Sequence, residues 1–332
     1  MSEPMAMVLE RAIAARAPLL DAAHEAAVRL FNGFAEGNPD LVVDLYATTA
    51  IINNYAEPAA AGAALVEEVQ GILLARLPWI GAVIVKTRNG ASAEERRGRL
   101  VFGSTVARKV REHGVWYAVD LMMNRDASLY LDTRNLREWA IRNLKGKTVL
   151  NTFAYTGSLG VAALAGGAAR VVQLDRNGEF LNVAKASYAL NGFPVQKKDF
   201  LVGDFFAKIS YLKKAGERFD CVFLDPPFFA AGQGGTVDLV KDGARLINKV
   251  RPLINDGGYL VTINNALFVS GQAYLEILTE LGADGYLKFA ERIDIPADFT
   301  GYADTKSGTP VTDPAPFNHS TKIAVLEIRR KG

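Results

Sequence analysis

Residues 148–177 read TVLNTFAYTGSLGVAALAGGAARVVQLDRN, and their pattern decides the fold. A short apolar run (148–153) meets a turn containing Gly157 and Gly160. A helical segment near 158–166 follows, and a second apolar run, RVVQLD, closes the unit at Asp175. The same alternation continues outward: a helical stretch over 178–190, the run FDCVFLD (219–225), a helix over 236–254, then GGYLVTIN (257–264). Strands alternating with helices imply a parallel sheet covered on both faces. In such sheets ligands bind beyond the carboxyl ends of the strands, where the strand order reverses. The strand ends are therefore the place to look for chemistry.

Upstream the pattern differs. Apolar positions at three- and four-residue steps predict a helix over 5–30, and Asn32-Gly33 breaks it. LVVDLYATTAIINNY (41–55) reads as two strands joined near Ala47-Thr48-Thr49. A helix over 58–77 stops at Pro78, and AVIVK (82–86) reads as a strand. The polar stretch 89–99 reads as a loop, with strand-like runs at 99–102 and 115–121. Between Lys86 and Glu112 lie eight basic residues (Lys86, Arg88, Arg96, Arg97, Arg99, Arg108, Lys109, Arg111) against three acidic ones. That imbalance suits a footprint for phosphates, or an ordinary solvated hairpin.

Composition narrows the classes. The chain has 332 residues, 49% hydrophobic, with a net charge of +2. That is enough apolar material for a large core and too much for global disorder. A single cysteine, Cys221, excludes an intramolecular disulfide framework and a cysteine-rich zinc site. Three widely spaced histidines argue against a histidine metal site, so no metal is expected. No stretch reaches 18 apolar residues, and Glu3, Glu10 and Arg11 interrupt any signal-peptide core. These features suit a cytoplasmic protein without membrane contact.

The strand ends carry the candidate chemistry. Asn151-Thr-Phe153-Ala154-Tyr155-Thr156-Gly157 leads from the first strand. It lacks the Gly-x-Gly-x-x-Gly that lets bare backbone approach a pyrophosphate, which disfavours a nicotinamide oxidoreductase. A nucleoside without a pyrophosphate tolerates the bulk of Phe153 and Tyr155. Asp175 stands where a carboxylate accepts from a ribose diol, beside Arg176 and Asn177, though an Asp there can equally cap a helix. Asp204 suits either an adenine amino group or a cap, with Phe205 flanking the ring. Asp225-Pro226-Pro227-Phe228 is the sharpest signal. Prolines cannot continue a central strand, and two of them stiffen a turn in which the aromatic can stack on a planar heterocycle while oxygens accept from an amino group. At the end of the fifth strand, Asn264 and Asn265 can read a base edge or cap the strand's exit.

Together these strand ends resemble class I S-adenosylmethionine-dependent methyltransferases. VLNTFAYTGSLGVAALAGGAARVVQLDRN is similar to the cofactor loop and second motif of large-subunit ribosomal RNA methyltransferases. IINNYAEPA, VIVKTR, VWYAVDL, LYLDTR, DPPFF and TINN match the same family in order. The likeness is greatest to the branch that methylates guanine N7, which carries Ser-Asn-Asn where this chain has Ile263-Asn264-Asn265. It implies an α/β fold with a Rossmann-like, mostly parallel seven-stranded sheet. The expected organisation is a helical lead (1–32), a small α+β domain in contact with RNA or substrate (33–122), and a methyltransferase domain (123–332). It implies S-adenosylmethionine as cofactor: residues 153–157 around the methionine part, Asp175 on the ribose, Asp204 and Phe205 at the adenine, and Tyr130, Asn151, Arg176 and Asn177 nearby. Arg134 would meet the cofactor carboxylate or form a structural ion pair. Relatives that methylate cytosine at carbon 5 carry a nucleophilic cysteine at the position of Asn265, and this chain has none there. The implied reaction is methylation of a base nitrogen, guanine N7 or an exocyclic amine, in ribosomal RNA. A methyltransferase for a small metabolite and a catalytically silent RNA-binding protein of the same fold are the alternatives. His319, in the divergent stretch 296–320, reads as a cap or packing residue.

Overall fold

The computed structural model describes residues 3–232 and 235–330. The outer ends of the expected terminal ranges lie outside them. The chain divides into two compact units. One runs through Asp132 and regains Pro296–Pro310; the other takes Thr133–Ile295 and resumes at Val311.

The first unit is built on a five-stranded sheet of β1 (Ala27–Asn32), β2 (Leu41–Tyr46), β3 (Thr49–Asn54), β4 (Ala82–Thr87) and β5 (Arg99–Gly103), in that spatial order. All pairs are antiparallel except β3 with β4. The helices Met5–Arg16 and Ala63–Arg76 bury Leu9, Ile13, Val69 and Leu73 against Val43, Ile52 and Val83. The helix expected over 5–30 stops at Arg16, and Ala27–Asn32 is a strand. Two local features end it. Pro18 follows in a single 3-10 turn, and the Asp21 carboxylate accepts from the backbone N–H groups of Ala23, Glu25 and Ala26, which offers the chain an alternative to further helix. The stretch 89–99 also holds structure that was not expected. Ser92 and Glu95 form a reciprocal capping box that starts a short helix, Ala93–Arg97. A separate hairpin joins β6 (Lys109–Glu112) to β7 (Val115–Ala118). Its alternation sends Val110 and Tyr117 inward, and Lys109, Arg111 and Trp116 to the other face.

The second unit is the alternating region. Its sheet contains β8 (Thr148–Thr152), β9 (Arg170–Asp175), β10 (Phe200–Val202), β11 (Phe219–Leu224), β14 (Ile254–Asn264), β15 (Leu287–Ile293) and β16 (Lys322–Ile328). A small outlying hairpin supplies β12 (Phe229–Gly232) and β13 (Gly235–Asp238). The spatial order is β10-β9-β8-β11-β14-β16-β15. The first five in that order are mutually parallel and β16 is antiparallel to both neighbours, so the seven-stranded, mostly parallel α/β sheet is present. The chain winds outward from β8 in one direction and from β11 in the other, which puts the switch point between them. Register aligns their ends: Thr152 lies opposite Leu174 on one side and Leu224 on the other, and Leu224 opposite Thr262. The helix expected over 236–254 is shorter, Leu239–Val250, because 235–238 pair as β13 and Ile254 already belongs to β14.

Candidate active site

Two residues after Thr152 depart from ordinary backbone geometry: Phe153 has φ +53° and Tyr155 +51°, while Gly157 at +76° takes a value open to glycine. Residues with side chains rarely adopt such values, and those that do cluster at functional sites. The strain is held by a set of short bonds. Ala154 N–H donates to the Leu174 carbonyl at 2.9 Å, Tyr155 N–H to Asp175 Oδ2 at 2.8 Å, and Gly157 N–H to the Ala154 carbonyl at 2.7 Å. The carboxylate of β9 thus shapes the loop leaving β8.

Asp175 also accepts from Asn177 N–H at 2.8 Å. A carboxylate offers about four acceptor positions, so ribose hydroxyls can share the remainder. Burial raises its pKa above the ordinary Asp value and outweighs the amide hydrogen bonds that pull it down. Asn177 caps the helix Gly178–Leu190 through Glu179 N–H. The glycines of the loop answer to a residue the sequence reading passed over. Gln173 is fully buried; its Nε2 donates to the Gly157 carbonyl at 3.1 Å, and its Oε1 accepts from Asn151 Nδ2 at 2.9 Å. A Cβ on Gly160 would lie 2.1 Å from Gln173 Nε2. Asn151 therefore sits inside the sheet and reaches the loop through Gln173.

Asp204 caps the helix Phe205–Lys214 by accepting from Ala207 N–H at 3.0 Å, and the adjacent Gly203 N–H returns to the Asp175 carbonyl. Phe205 is buried and stacks on Phe153 at 4.6 Å, and Tyr155 packs edge-on against Phe180. The loop of β8 and the ends of β9 and β10 are thus tied into one structure. Arg134 is buried at the start of the helix Arg134–Asn143. Tyr130 belongs to the first unit, where its hydroxyl donates to Asp126 Oδ2 at 2.9 Å.

At the end of β11, Asp225 is half-buried, Pro226 buried, and Pro227 and Phe228 exposed. Asn264 is buried and its Oδ1 accepts from Ala266 N–H at 3.0 Å, while Asn265 is exposed. Pro226 and Asn264 share a cavity of about 10 Å³ with Leu224, Thr262 and Tyr274. That is room for about one water, so the turn is closely packed from behind. Cys221 lies within β11, paired with Val149 and Tyr259 rather than at the strand end. It is fully buried, and burial pushes its thiol pKa up. His319 Nδ1 accepts from Thr321 N–H at 3.0 Å, a local turn contact. Among the described residues no cluster of three metal-ligating side chains occurs, and no helix is long and apolar enough to cross a membrane.

This strand order, with a carboxylate ending β9 and a strained loop ending β8, defines a nucleoside-cofactor methyltransferase fold. A profile of the S-adenosylmethionine-dependent methyltransferases matches residues 98–310, and the chain belongs to that family. Ribosomal RNA large subunit methyltransferase I of Photobacterium profundum is 31% identical over 217 residues, which cover 64% of this chain and 53% of that protein. Ribosomal RNA large subunit methyltransferase K/L of Shewanella pealeana is 30% identical over 237 residues, 68% of this chain and 32% of that one. The chain spans about half the length of the first of these relatives. Among solved structures, SMU.776, assigned as a methyltransferase and complexed with SAH, superposes with a TM-score of 0.84 at 20% identity, over 97% of this chain and 80% of that one. That likeness concerns the fold. The family's cofactor is S-adenosylmethionine, and the donor set suits it: one carboxylate for a diol, aromatic side chains beside it, and no glycine-rich pyrophosphate cradle.

Proposed function

We propose that the protein methylates a base nitrogen in ribosomal RNA, with Asp225-Pro226-Pro227-Phe228 as the slot for the base. S-adenosylmethionine, when bound, supplies a methyl group on a sulfonium, already a strong electrophile. The protein's task is then mainly alignment. Asp175 and residues 153–157 hold the donor at the ends of β8 and β9. Asp204, Phe205, Arg176 and Asn177 line the adenosine side, and Arg134 completes the methionine side. The two prolines fix the exit of β11 so that Phe228 offers a face on which a ring stacks. Guanine N7 carries a lone pair and no proton, so it needs no base. An exocyclic amine loses a proton on methylation, and the Asp225 carboxylate, which accepts the amine's hydrogen bond, takes that proton. Asn265, which is exposed, faces the rest of the base edge, while the buried Asn264 caps the strand's exit instead of reading a base. A base within a helix would first be turned out of its stack.

The observation that carries the nitrogen reading is the placement of Cys221. Carbon-5 methylation needs a thiolate at the ring, and the only thiol of the chain is inside a strand with a raised pKa. The names of the relatives support ribosomal RNA as the substrate class. The basic face of the β6–β7 hairpin fits a nucleic-acid backbone: Lys109 Nζ stands 4.0 Å and Arg111 Cζ 5.5 Å from the centre of the Trp116 ring. Mass spectrometry of RNA nucleosides from a strain lacking the gene, beside its parent, tests the proposal. The expected result is loss of one methylated nucleoside from large-subunit RNA. Unchanged RNA, with methyl transfer to a small molecule instead, rejects it.

A further inference from the structure

Lys322 opens β16 directly opposite Asn264, the last residue of β14. The strand it begins, KIAVLEI, is otherwise a core strand, yet Lys322 is itself completely buried. Its Nζ donates to the Ala266 carbonyl at 3.1 Å and to the Ser320 carbonyl. Among the described residues no carboxylate forms an ion pair with it. Burying an ammonium on carbonyl partners alone is costly, and a methionine would fill the same space without that cost. The position of the charge suggests what offsets it. The Ala266 residue is gripped from both sides, its N–H by Asn264 Oδ1 and its C=O by Lys322 Nζ. Asn265 lies between these two anchors, with an exposed side chain, at the end of the strand that neighbours β11 and its Asp225 turn.

We propose that Lys322 is a positioning residue for base recognition: it locks the Asn264–Ala266 corner so that the Asn265 carboxamide presents a fixed donor and acceptor to the edge of the target base. A carboxamide can pair with a base edge in two directions, and holding its backbone removes the entropy of choosing a pose. The proposal rests on the RNA-base reading above. It requires no proton transfer by Lys322 and no contact with the methyl donor.

A double-mutant cycle tests it. Lys322→Met and Asn265→Ala should each lower kcat/KM for RNA by about tenfold, with affinity for S-adenosylmethionine unchanged within about twofold. The double variant should be no worse than the poorer single one, because both remove the same interaction. Lys322→Gln keeps an N–H donor without the charge and should recover most of the activity. Independent losses that multiply, unaltered activity in Lys322→Met, or failure of both Lys322 variants to fold would overturn the proposal. Amide hydrogen exchange at Ala266 separates this idea from the substrate assignment. It should quicken in Lys322→Met even if the wild type transfers no methyl group to RNA, an outcome that would sink the RNA reading alone. Unchanged exchange there would sink the clamp.

Discussion

Asp175 ends β9 and fixes the Tyr155 backbone, and under the proposed function the same side chain holds the cofactor's ribose. Asp175→Ala should therefore weaken S-adenosylmethionine binding by about ten- to a hundredfold, the range set by losing charge-assisted hydrogen bonds of ~1.5–3 kcal/mol. Calorimetric titration reads this directly. The carboxylate is needed ionised, and burial raises its pKa, so donor affinity should fall on acidification before ordinary aspartates protonate. Asp225 should behave differently. Asp225→Ala should cut methyl transfer by about a hundredfold or more, yet leave donor affinity within about tenfold, ~1.4 kcal/mol. A comparable collapse of donor binding would place that carboxylate on the wrong ligand. Acidic residues at strand ends were legible from sequence, since their position follows from the alternation of elements. Gln173 and Lys322 were not. Each is a polar residue in an apolar strand, and its meaning lies in partners brought from elsewhere in the chain: Asn151 and Gly157 for one, Ala266 and Ser320 for the other.

The β8 loop illustrates how an element is specified by its neighbours. Gly160 lies under Gln173 with no space for a side chain, so Gly160→Ala should destabilise the protein by ~1–3 kcal/mol, read as a shift in urea midpoint. In the first unit, β4 carries Lys86, whose buried Nζ donates to the Asn124 and Asp126 carbonyls at 2.9 Å each. Burial, with the charge of Arg88 adding to it, pushes this ammonium down to about 8. Between roughly pH 8 and the ordinary lysine range near 10.5, the unfolded chain holds a proton that the folded chain has released. Stability then rises with pH. Relative to Lys86→Met, the wild type should gain stability across that window and show its full penalty below it, measurable by denaturant unfolding at pH 7, 8.5 and 10. Strands β8, β9, β11 and β14 were readable because each is an apolar run beside a helical period, whereas β15, LKFAERI, carries three charged residues on a largely exposed strand and gives no such signal. The early helix boundary was not, because Asp21 ends it with side-chain bonds that periodicity does not reveal. The β6 strand was missed for a related reason. KVRE shows only one apolar residue, and Glu112 is buried against expectation.

At the scale of the molecule, the strand order reverses between β8 and β11, and that reversal is where open α/β sheets take their ligands. The return of Pro296–Pro310 to the first unit was beyond sequence reading. It rests on long-range pairs such as the Asp298 carboxylate accepting from Arg29 N–H, and the Arg16 guanidinium donating to the Asp298 carbonyl while paired with Glu36. The substrate claim is tested most directly with purified protein, unmodified large-subunit ribosomal RNA and S-adenosylmethionine bearing a labelled methyl group. After digestion, mass spectrometry should find the label on a base nitrogen, with Cys221→Ala transferring it as well as the wild type. Labelled 5-methylcytidine that disappears in Cys221→Ala, or RNA that takes up no label, would contradict the base-nitrogen assignment.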